Sequence, residues 1–276
     1  MRRGLWPVVA AGGALGAYAA FEAQWLEFRV LDVPVAGLPP ALDGFRIAHL
    51  SDFHLGTLSQ NARTLGKAAD WIAERRPDLV AITGDLVSRP GGRGELDRFL
   101  RWIDGPYGVY AVLGNHDVEE ARDPFSRPTD LLDIRDAGAV LLRDDERAFD
   151  VRGVRLQVVG IDPATYTAGR SHPAERADPD AAFRVLLSHY PHVVDLLPAG
   201  TFQLVLAGHL HGGQICMPTP WGKLRLEHLR APYWEGVFER PGGVLHVSRG
   251  LGTSFVPFRL LARPEATELV LRGGPR

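Results

Sequence analysis

Five short fragments of this chain combine side chains that can bind metals or transfer protons. Each follows an apolar run typical of a buried strand, and each places carboxylates, imidazoles or an amide directly after that run. The fragments are Asp52-x-His54, Gly84-Asp85, Asn115-His116-Asp117, His189 and His209-x-His211. Because the carboxyl ends of neighbouring parallel strands meet at one edge of an α/β sheet, we expect these side chains to converge.

Such a convergence predicts a metal centre. Buried carboxylates without a compensating cation are unfavourable, and a divalent ion supplies that compensation. The ligand atoms are nitrogen and oxygen with no thiolate, which suits Mn, Fe, Zn or Co. If Asp52-x-His54 and His209-x-His211 are extended, the two side chains of each pair should point the same way. The number of ligands favours two ions over one.

The segments between the fragments alternate between predicted strands and helices. Strands are predicted at 45–50, 79–83 and 109–113, and helices at 60–76 and 95–103. This alternation indicates a largely parallel inner sheet with helices outside it. The second half is richer in predicted strands, which lie at 140–143, 147–151, 154–161, 183–187, 203–207, 244–247 and 267–271. Between them, the polar stretch 162–180 is predicted to be a surface loop.

The first 28 residues form a separate segment. Arg2 and Arg3 precede an uncharged run from Leu5 to Phe21, at the short end of the membrane-spanning range. A signal anchor, a cleaved signal peptide and a buried or interfacial helix are all compatible with this run. As an anchor, it would keep its positive end in the cytoplasm. That interpretation predicts a membrane-associated protein with an extracytoplasmic catalytic domain.

Composition bounds the rest of the chain. The protein has 276 residues, 45% of them hydrophobic, and a net charge of -2. This is enough for one large core, and the charge gives no general attraction to nucleic acid, so no nucleic-acid partner is expected. Residues 29–44, with three prolines, are predicted to be an extended linker, and 45–276 to be the catalytic domain.

Together the five fragments resemble the calcineurin-like metallophosphoesterase superfamily. Its pattern is Asp-x-His, Gly-Asp, Gly-Asn-His-Asp/Glu, a lone His and Gly-His-x-His, and all five pieces occur here in that order. The resemblance implies an α/β fold, a two-sheet sandwich flanked by helices, to which the N-terminal hydrophobic helix is added. It also implies two divalent metal ions as cofactors.

The resemblance assigns a role to each residue of the motif. One metal would be held by Asp52, His54, Asp85 and His211. The other would be held by Asp85, Asn115, His189 and His209, so that Asp85 bridges the two ions. His116 would not bind metal. It would contact the phosphate as general acid or transition-state stabiliser, while a metal-bridged hydroxide attacks phosphorus.

Three further stretches narrow the resemblance to one branch. Residues Pro39–Gly44, His211–Gln214 and Ser248–Ser254 are similar to a bacterial branch with an N-terminal membrane segment. Its members are phosphodiesterases, and some are UDP-diacylglucosamine pyrophosphatases of lipid A synthesis. The implied function is hydrolysis of a phosphodiester or pyrophosphate, with UDP-2,3-diacylglucosamine as an example of a lipid-linked substrate. A soluble extracytoplasmic substrate is one alternative, and a non-catalytic metal-binding scaffold is another.

Several residues beside the motif could contact the substrate. Arg89, Tyr190 and Arg249 are candidate substrate-binding residues. Ser88 stands where protein phosphatases of the superfamily carry an Asp that orients the catalytic histidine, so support for His116 must come from elsewhere. Phe255 is most simply a core residue. The alternative interpretation places it in an apolar wall near the site, for acyl chains or the membrane surface.

Overall fold

Two sheets form the centre of the protein. The computed structural model describes residues 5–57, 59–118, 126–127, 129–131, 134–226, 229 and 231–274. The α-helices are α1 (Leu5–Glu22), α2 (Asn61–Arg75), α3 (Arg93–Trp102) and α4 (Pro163–Thr167). The strands are β1 (Glu27–Ala36), β2 (Arg46–Leu50), β3 (Leu79–Thr83), β4 (Val109–Val112), β5 (Ala139–Leu141), β6 (Asp145–Val151), β7 (Val154–Gly160), β8 (Phe183–Leu187), β9 (Leu204–Ala207), β10 (Cys216–Thr219), β11 (Gly222–Arg225), β12 (Gly236–Arg240), β13 (Gly243–Val247) and β14 (Glu265–Gly274).

Both sheets are mixed, with parallel strands in the middle. The first has the order β1-β14-β2-β3-β4-β5, and β2 to β5 run parallel. The second has the order β12-β13-β9-β8-β7-β6, and β13, β9, β8 and β7 run parallel. Strands β10 and β11 form a separate antiparallel hairpin. The carboxyl ends of the parallel strands therefore present two rows of loops, one from each sheet.

The core lies between the sheets because alternate residues of each strand face the opposite sheet. Ile47, Leu79 and Val112 of the first sheet pack with Val185 and Leu206 of the second, and all five are fully buried. A second apolar cluster joins the other face of the first sheet to α2 and α3. This confirms the predicted two-sheet α/β fold with flanking helices.

Helix α2 lies within one residue of each predicted end. Its buried residues Leu65, Ala68, Ala69 and Ile72 follow the spacing of one helical face. The helix ends where Arg76 adopts a left-handed backbone with φ 49° and donates its N–H to Ile72 O at 2.8 Å. The following Pro77 prevents continuation of the helix.

The first half of the predicted linker 29–44 belongs to strand β1. β1 pairs in parallel with β14 over ten residues, from Glu27 opposite Glu265 to Ala36 opposite Gly274. Pro34 suggested a spacer, but proline is compatible with an edge strand, and β1 is at the edge of its sheet. The predicted surface loop 162–180 likewise contains α4, because the Asp162 side chain accepts the Ala164 N–H at the helix start.

The prediction of a membrane-spanning N-terminal segment is wrong. α1 is helical, but no helix among the described residues is long and apolar enough to cross a bilayer. The 18 residues of α1 include a proline, three glycines and Glu22. Its last turn is bound to the domain: Ala19 O accepts the Arg259 N–H at 3.0 Å, and Glu22 accepts the Ala262 N–H at 2.8 Å. The predicted extracytoplasmic placement loses its basis, since it depended on this anchor.

A buried pair of histidines connects the two sheets. His49 on β2 and His246 on β13 are both 0% exposed, and their Nδ1 atoms lie 2.7 Å apart. His49 Nε2 lies 2.9 Å from the Thr83 hydroxyl. Burial lowers the pKa of His246 to about 4, and burial followed by His246 lowers that of His49 well below its usual range.

This pair predicts acid lability. In the unfolded chain His246 takes up a proton near pH 6.5, whereas in the folded protein it remains neutral down to about pH 4. The unfolded state binds more protons in this interval, so the free energy of unfolding falls as pH drops, by up to about 3 kcal/mol from this residue. Urea titrations with chelator present, at several pH values between 7 and 4, measure this free energy. It should decline less with falling pH in His246→Gln than in the parent protein. His172→Gln, at an exposed histidine, is the control; equal declines in the parent and His246→Gln would contradict the prediction.

Candidate functional site

The predicted ligands lie together at the carboxyl ends of parallel strands from both sheets. β2 leads into Asp52 and His54, and β3 leads into Asp85. Strand β4 leads into Asn115 and His116. The second sheet contributes His189 after β8, and His209 and His211 after β9. The structure therefore brings all seven predicted metal ligands and His116 to one edge of the sandwich.

Four of these residues form a compact buried cluster. Asp52, His54, Asp85 and His211 each offer one ligand atom, and these atoms all lie within 4.8 Å of one another. His54 Nε2 lies 3.0 Å from His211 Nε2, and His211 Nε2 lies 3.4 Å from Asp52 Oδ1. Two imidazole nitrogens that face each other beside carboxylates need a proton or a metal ion between them. The donor set fits a divalent cation.

The remaining predicted ligands form a second group beside the first. His189 Nε2 lies 2.9 Å from Asn115 Oδ1 and 3.1 Å from His209 Nδ1. The same Nε2 lies 3.3 Å from Asp85 Oδ2. That carboxylate oxygen is also 3.4 Å from His54 Nε2. Asp85 is therefore the residue that faces both groups.

Contacts on the far side of two imidazoles leave their Nε2 atoms available to bind metal. His189 Nδ1 lies 2.8 Å from Thr83 O, a carbonyl that can only accept, so Nδ1 carries a proton and a metal ion that displaces the second proton would bind at Nε2. His54 Nδ1 lies 2.9 Å from the Ser88 hydroxyl. Ser88 thus supports a predicted ligand, His54. Thr83, through its carbonyl, and Ser88, through its hydroxyl, are both buried, which holds the two rings in place.

The backbone is strained where it presents the ligands. Five of the seven have a positive φ: Asp52 (55°), His54 (47°), Asp85 (54°), His209 (79°) and His211 (49°). Such conformations cost about 1–3 kcal/mol each in non-glycine residues and persist when surrounding contacts enforce them. One such contact is the Asp52 carboxylate, which accepts the His209 N–H at 3.1 Å.

Glycines before the ligands allow the strand ends to approach each other. A Cβ at Gly114 would lie 2.1 Å from Asp85 Oδ1, and one at Gly208 would lie 2.4 Å from Asp52 Oδ2. Both distances are far below van der Waals contact. Glycine is therefore required at these two positions for the carboxylates to occupy their places.

Charges within the cluster are mutually dependent. Burial alone would raise the pKa of Asp85, but His189 and His116 lower it well below its usual range. Burial likewise lowers the pKa of His189, but the Asp85 carboxylate outweighs burial and raises it to about 9. Without metal, a proton on His189 thus supplies the positive charge that Asp85 needs. Burial and then Asp85 raise the pKa of Asp117 to about 7.

Asp117 fixes the turn after β4, as expected from sequence. Its carboxylate accepts the N–H groups of Leu86 at 2.9 Å, Val87 at 2.9 Å and Gly114 at 2.8 Å. These bonds join the loop after β3 to the loop after β4. Asp117 therefore holds Asp85 and Asn115 in register without belonging to either ligand group.

His116 lies at the edge of the cluster and is 7% exposed. Its backbone N–H donates to Asp85 Oδ1 at 2.8 Å, and its ring centroid lies 4.7 Å from that of His54. Its Nδ1 lies 2.7 Å from the hydroxyl of Ser126. Ser126 is the supporting residue that sequence reasoning missed, because no motif surrounds it.

The three candidate substrate-binding residues have different surroundings. The Tyr190 ring lies 4.8 Å from the ring of His209, beside the second ligand group. Arg89 is half-buried in the loop after β3, where its N–H donates to Leu55 O at 3.2 Å. The Arg249 guanidinium lies 2.8 Å from Glu265 and 3.0 Å from Glu27. These carboxylates offset the charge with which Arg249 would attract phosphate.

Comparison with known proteins agrees with this geometry. The sequence profile of the calcineurin-like phosphoesterases matches residues 45–213, which include every predicted ligand. Two similar proteins of Bacillus subtilis (strain 168) are described as uncharacterized metallophosphoesterases. YkoQ is 28% identical over 233 residues, covering 83% of this chain and 84% of YkoQ. YkuE is 26% identical over 273 residues, covering 95% of this chain and 91% of YkuE.

A third relative has a named activity. The UDP-2,3-diacylglucosamine pyrophosphatase LpxG of Chlamydia trachomatis serovar D is 28% identical over 268 residues, covering 76% of this chain and 79% of LpxG. The family profile covers more than half of the chain, and the relatives above extend the similarity beyond it. The chain therefore belongs to the calcineurin-like phosphoesterase family and is a metal-dependent phosphoester hydrolase.

Proposed function

We propose that this protein hydrolyses a phosphodiester or pyrophosphate bond at a centre of two divalent metal ions. The observation that carries the proposal is the position of Asp85. Its Oδ2 lies 3.4 Å from His54 Nε2 and 3.3 Å from His189 Nε2, so one buried carboxylate faces both ligand groups. A single shared carboxylate is what a pair of neighbouring ions requires, whereas one ion would leave the second group without a role.

The proposal divides the ligands as the resemblance implies. Asp52, His54, Asp85 and His211 would hold one ion. Asp85, Asn115, His189 and His209 would hold the other. When bound, the two ions would supply the Lewis acidity that activates water and neutralises charge on the phosphoryl oxygens. The identity of the ions is left open among Mn, Fe, Zn and Co, since imidazole and carboxylate ligands suit each of them.

His116 is the proposed proton donor or transition-state stabiliser. Its ring lies against that of His54 at a centroid distance of 4.7 Å, so it borders the first ligand group without joining it. The contact between Nδ1 and Ser126 fixes the ring and directs Nε2 elsewhere. A leaving oxygen within hydrogen-bond reach of His116 could then receive a proton as the bond to phosphorus breaks.

The substrate class is the finer part of the proposal. Similarity to LpxG favours a pyrophosphate in a lipid-linked nucleotide, with UDP-2,3-diacylglucosamine as the specific candidate. The Tyr190 ring stacks on Tyr166 at 5.5 Å beside the second ligand group, which supplies an aromatic surface for a planar base. The alternative is a small soluble phosphodiester, for which this surface has no particular purpose.

Metal counting and a substrate panel test the proposal together. The purified full chain, stripped with chelator and reloaded with Mn²⁺, should bind two ions per chain and regain hydrolysis of bis(p-nitrophenyl) phosphate. His54→Ala and His189→Ala should each lose one ion of the pair. One ion in the parent chain would refute the dinuclear centre, and two ions without hydrolysis of any ester would favour the scaffold.

The same preparation decides between the substrate classes. Faster hydrolysis of UDP-2,3-diacylglucosamine than of bis(p-nitrophenyl) phosphate or p-nitrophenyl phosphate would support the lipid-linked substrate. Hydrolysis of the aryl diester alone would support a soluble phosphodiester and leave the metal chemistry intact.

A further inference from the structure

Phe255 is an exposed aromatic residue in a strained turn. Its side chain is 51% exposed and its φ is 55°, in the left-handed region that bulky residues rarely adopt. The Val256 N–H donates to Ser254 O at 2.5 Å, which makes Phe255 the central residue of a γ-turn. The sequence-based expectation that Phe255 is a core residue is thus not met. An exposed ring gains little from burial, so packing does not explain why this strain is kept.

The side-chain amide of Gln214 holds the γ-turn at Phe255 through hydrogen bonds to its backbone. This residue is 3% exposed, and its Oε1 accepts the Ser254 N–H at 3.0 Å. Its Nε2 donates to Ser254 O at 2.8 Å and to Val256 O at 3.2 Å. One buried amide therefore binds the carbonyl groups on both sides of Phe255. Gln214 also has a positive φ of 43°, with the Ile215 N–H donating to Gly213 O at 2.5 Å.

These two turns connect the Phe255 ring to the metal-binding edge. Gln214 follows His211 by three residues, so the strand end that presents a ligand also fixes the turn. Phe255 in turn reaches His116: the ring centroids lie 6.2 Å apart at an interplanar angle of 86°. His116 thus has the ligand His54 on one side and the exposed ring of Phe255 on another.

We propose that Phe255 forms an apolar subsite for the leaving group of the substrate. The proposal rests on the proposed function, because it takes His116 as the residue beside the leaving oxygen. An oxygen within about 3 Å of His116 carries its substituent into the space that Phe255 borders. The ring favours an aromatic or aliphatic substituent there over a small polar one, since apolar contact with an exposed aromatic surface removes both from water.

Two esters and two variants of Phe255 measure this preference. Methyl p-nitrophenyl phosphate and methyl 2,2,2-trifluoroethyl phosphate share the methyl group and differ in a large aromatic or a small leaving group. The ratio of their kcat/KM values reports leaving-group preference within each protein. In Phe255→Gly this ratio should fall roughly tenfold, mainly through a higher KM for the aryl ester. Phe255→Leu, which keeps an apolar side chain, should retain most of the preference.

A loss of stability in Phe255→Gly is not expected to affect the measured ratio of kcat/KM values. Glycine adopts a positive φ without strain, so Phe255→Gly should melt at or above the parent temperature. Leu261→Gly is the matched control: Leu261 also has a positive φ, 56°, and is 37% exposed. That variant should keep the parental ratio.

The outcomes separate this inference from the proposed function. A parental ratio in Phe255→Gly, or an equal fall in Leu261→Gly, would overturn the subsite while hydrolysis by the parent still supports the dinuclear centre. Failure of the metal-loaded parent to cleave either methyl ester would likewise overturn the subsite, whereas the proposed function falls only if that protein also leaves bis(p-nitrophenyl) phosphate and UDP-2,3-diacylglucosamine intact.

Discussion

Asp85→Asn is expected to abolish binding of both metal ions and to lower hydrolysis by ~10³-fold or more, since two-metal sites contribute several kcal/mol to the transition state. The substitution preserves the volume of the side chain and can preserve one oxygen. That oxygen would still accept the His116 N–H, which lies 2.8 Å from Oδ1. The other oxygen, Oδ2, is the atom between His54 and His189. An NH₂ group in its place cannot bind a cation and removes the negative charge from both ligand groups.

Asp162→Asn is the matched control for this prediction. Asp162 is another buried carboxylate, 2% exposed, but it begins α4 and pairs with Arg143. Asparagine is an equally good residue at a helix start, so the fold should be kept. Metal content by elemental analysis should be unchanged in this control and lost in Asp85→Asn. An Asp85→Asn protein that retains two ions would show that Asp85 is not the shared ligand.

The position of the site was predictable because its information is local. Each ligand follows an apolar strand directly, and parallel strands bring their ends together whatever lies between them. The glycines at 84, 114 and 208 lie in the same short fragments as the ligands. A pattern confined to a few neighbouring residues can be recognised without knowledge of the tertiary structure.

Features that depend on distant partners were not predictable. The sequence predicts a linker at 29–44 because β14, the strand that pairs with β1, lies more than 200 residues away in sequence. The pairing of Arg249 with Glu27, at the other end of the chain, has the same cause. Ser126 supports His116 from outside the motif. In each case the sequence shows one residue of a contact and gives no sign of the other.

The N-terminal segment was misinterpreted for a different reason. An uncharged run of alanine, glycine and valine suggests a membrane segment, but α1, with a proline, three glycines and Glu22, is not apolar enough to cross a bilayer. The last turn of α1 is also bound to the domain, because Ala19 and Glu22 accept the backbone N–H groups of Arg259 and Ala262. Arg259 is 0% exposed and donates to the carbonyl of His211 at 3.3 Å. The end of α1 is thereby joined to the loop that presents His211, a proposed metal ligand.

His116→Ala is expected to keep both metal ions and to lower kcat by about 10²–10⁴-fold, the usual contribution of a general acid. Metal binding survives because the contact of His116 with Asp85 uses the backbone N–H, which alanine retains. Elemental analysis and steady-state kinetics of the reloaded protein measure both quantities. His172→Ala, which removes an exposed histidine, should change neither. Loss of the metal ions from His116→Ala would instead make the ring a part of the ligand shell.

The dependence on leaving group then distinguishes the two roles left open for His116. A p-nitrophenolate leaves without a proton, whereas an alkoxide needs one, so loss of a general acid should slow an alkyl ester much more than an aryl ester. Loss of a group that stabilises charge on the phosphoryl oxygens should slow the alkyl ester and the aryl ester equally. Ser126→Ala should show a smaller defect with the same selectivity, because it removes only the contact that orients the ring. A selective defect in His116→Ala would establish proton donation, and an equal defect would establish transition-state stabilisation.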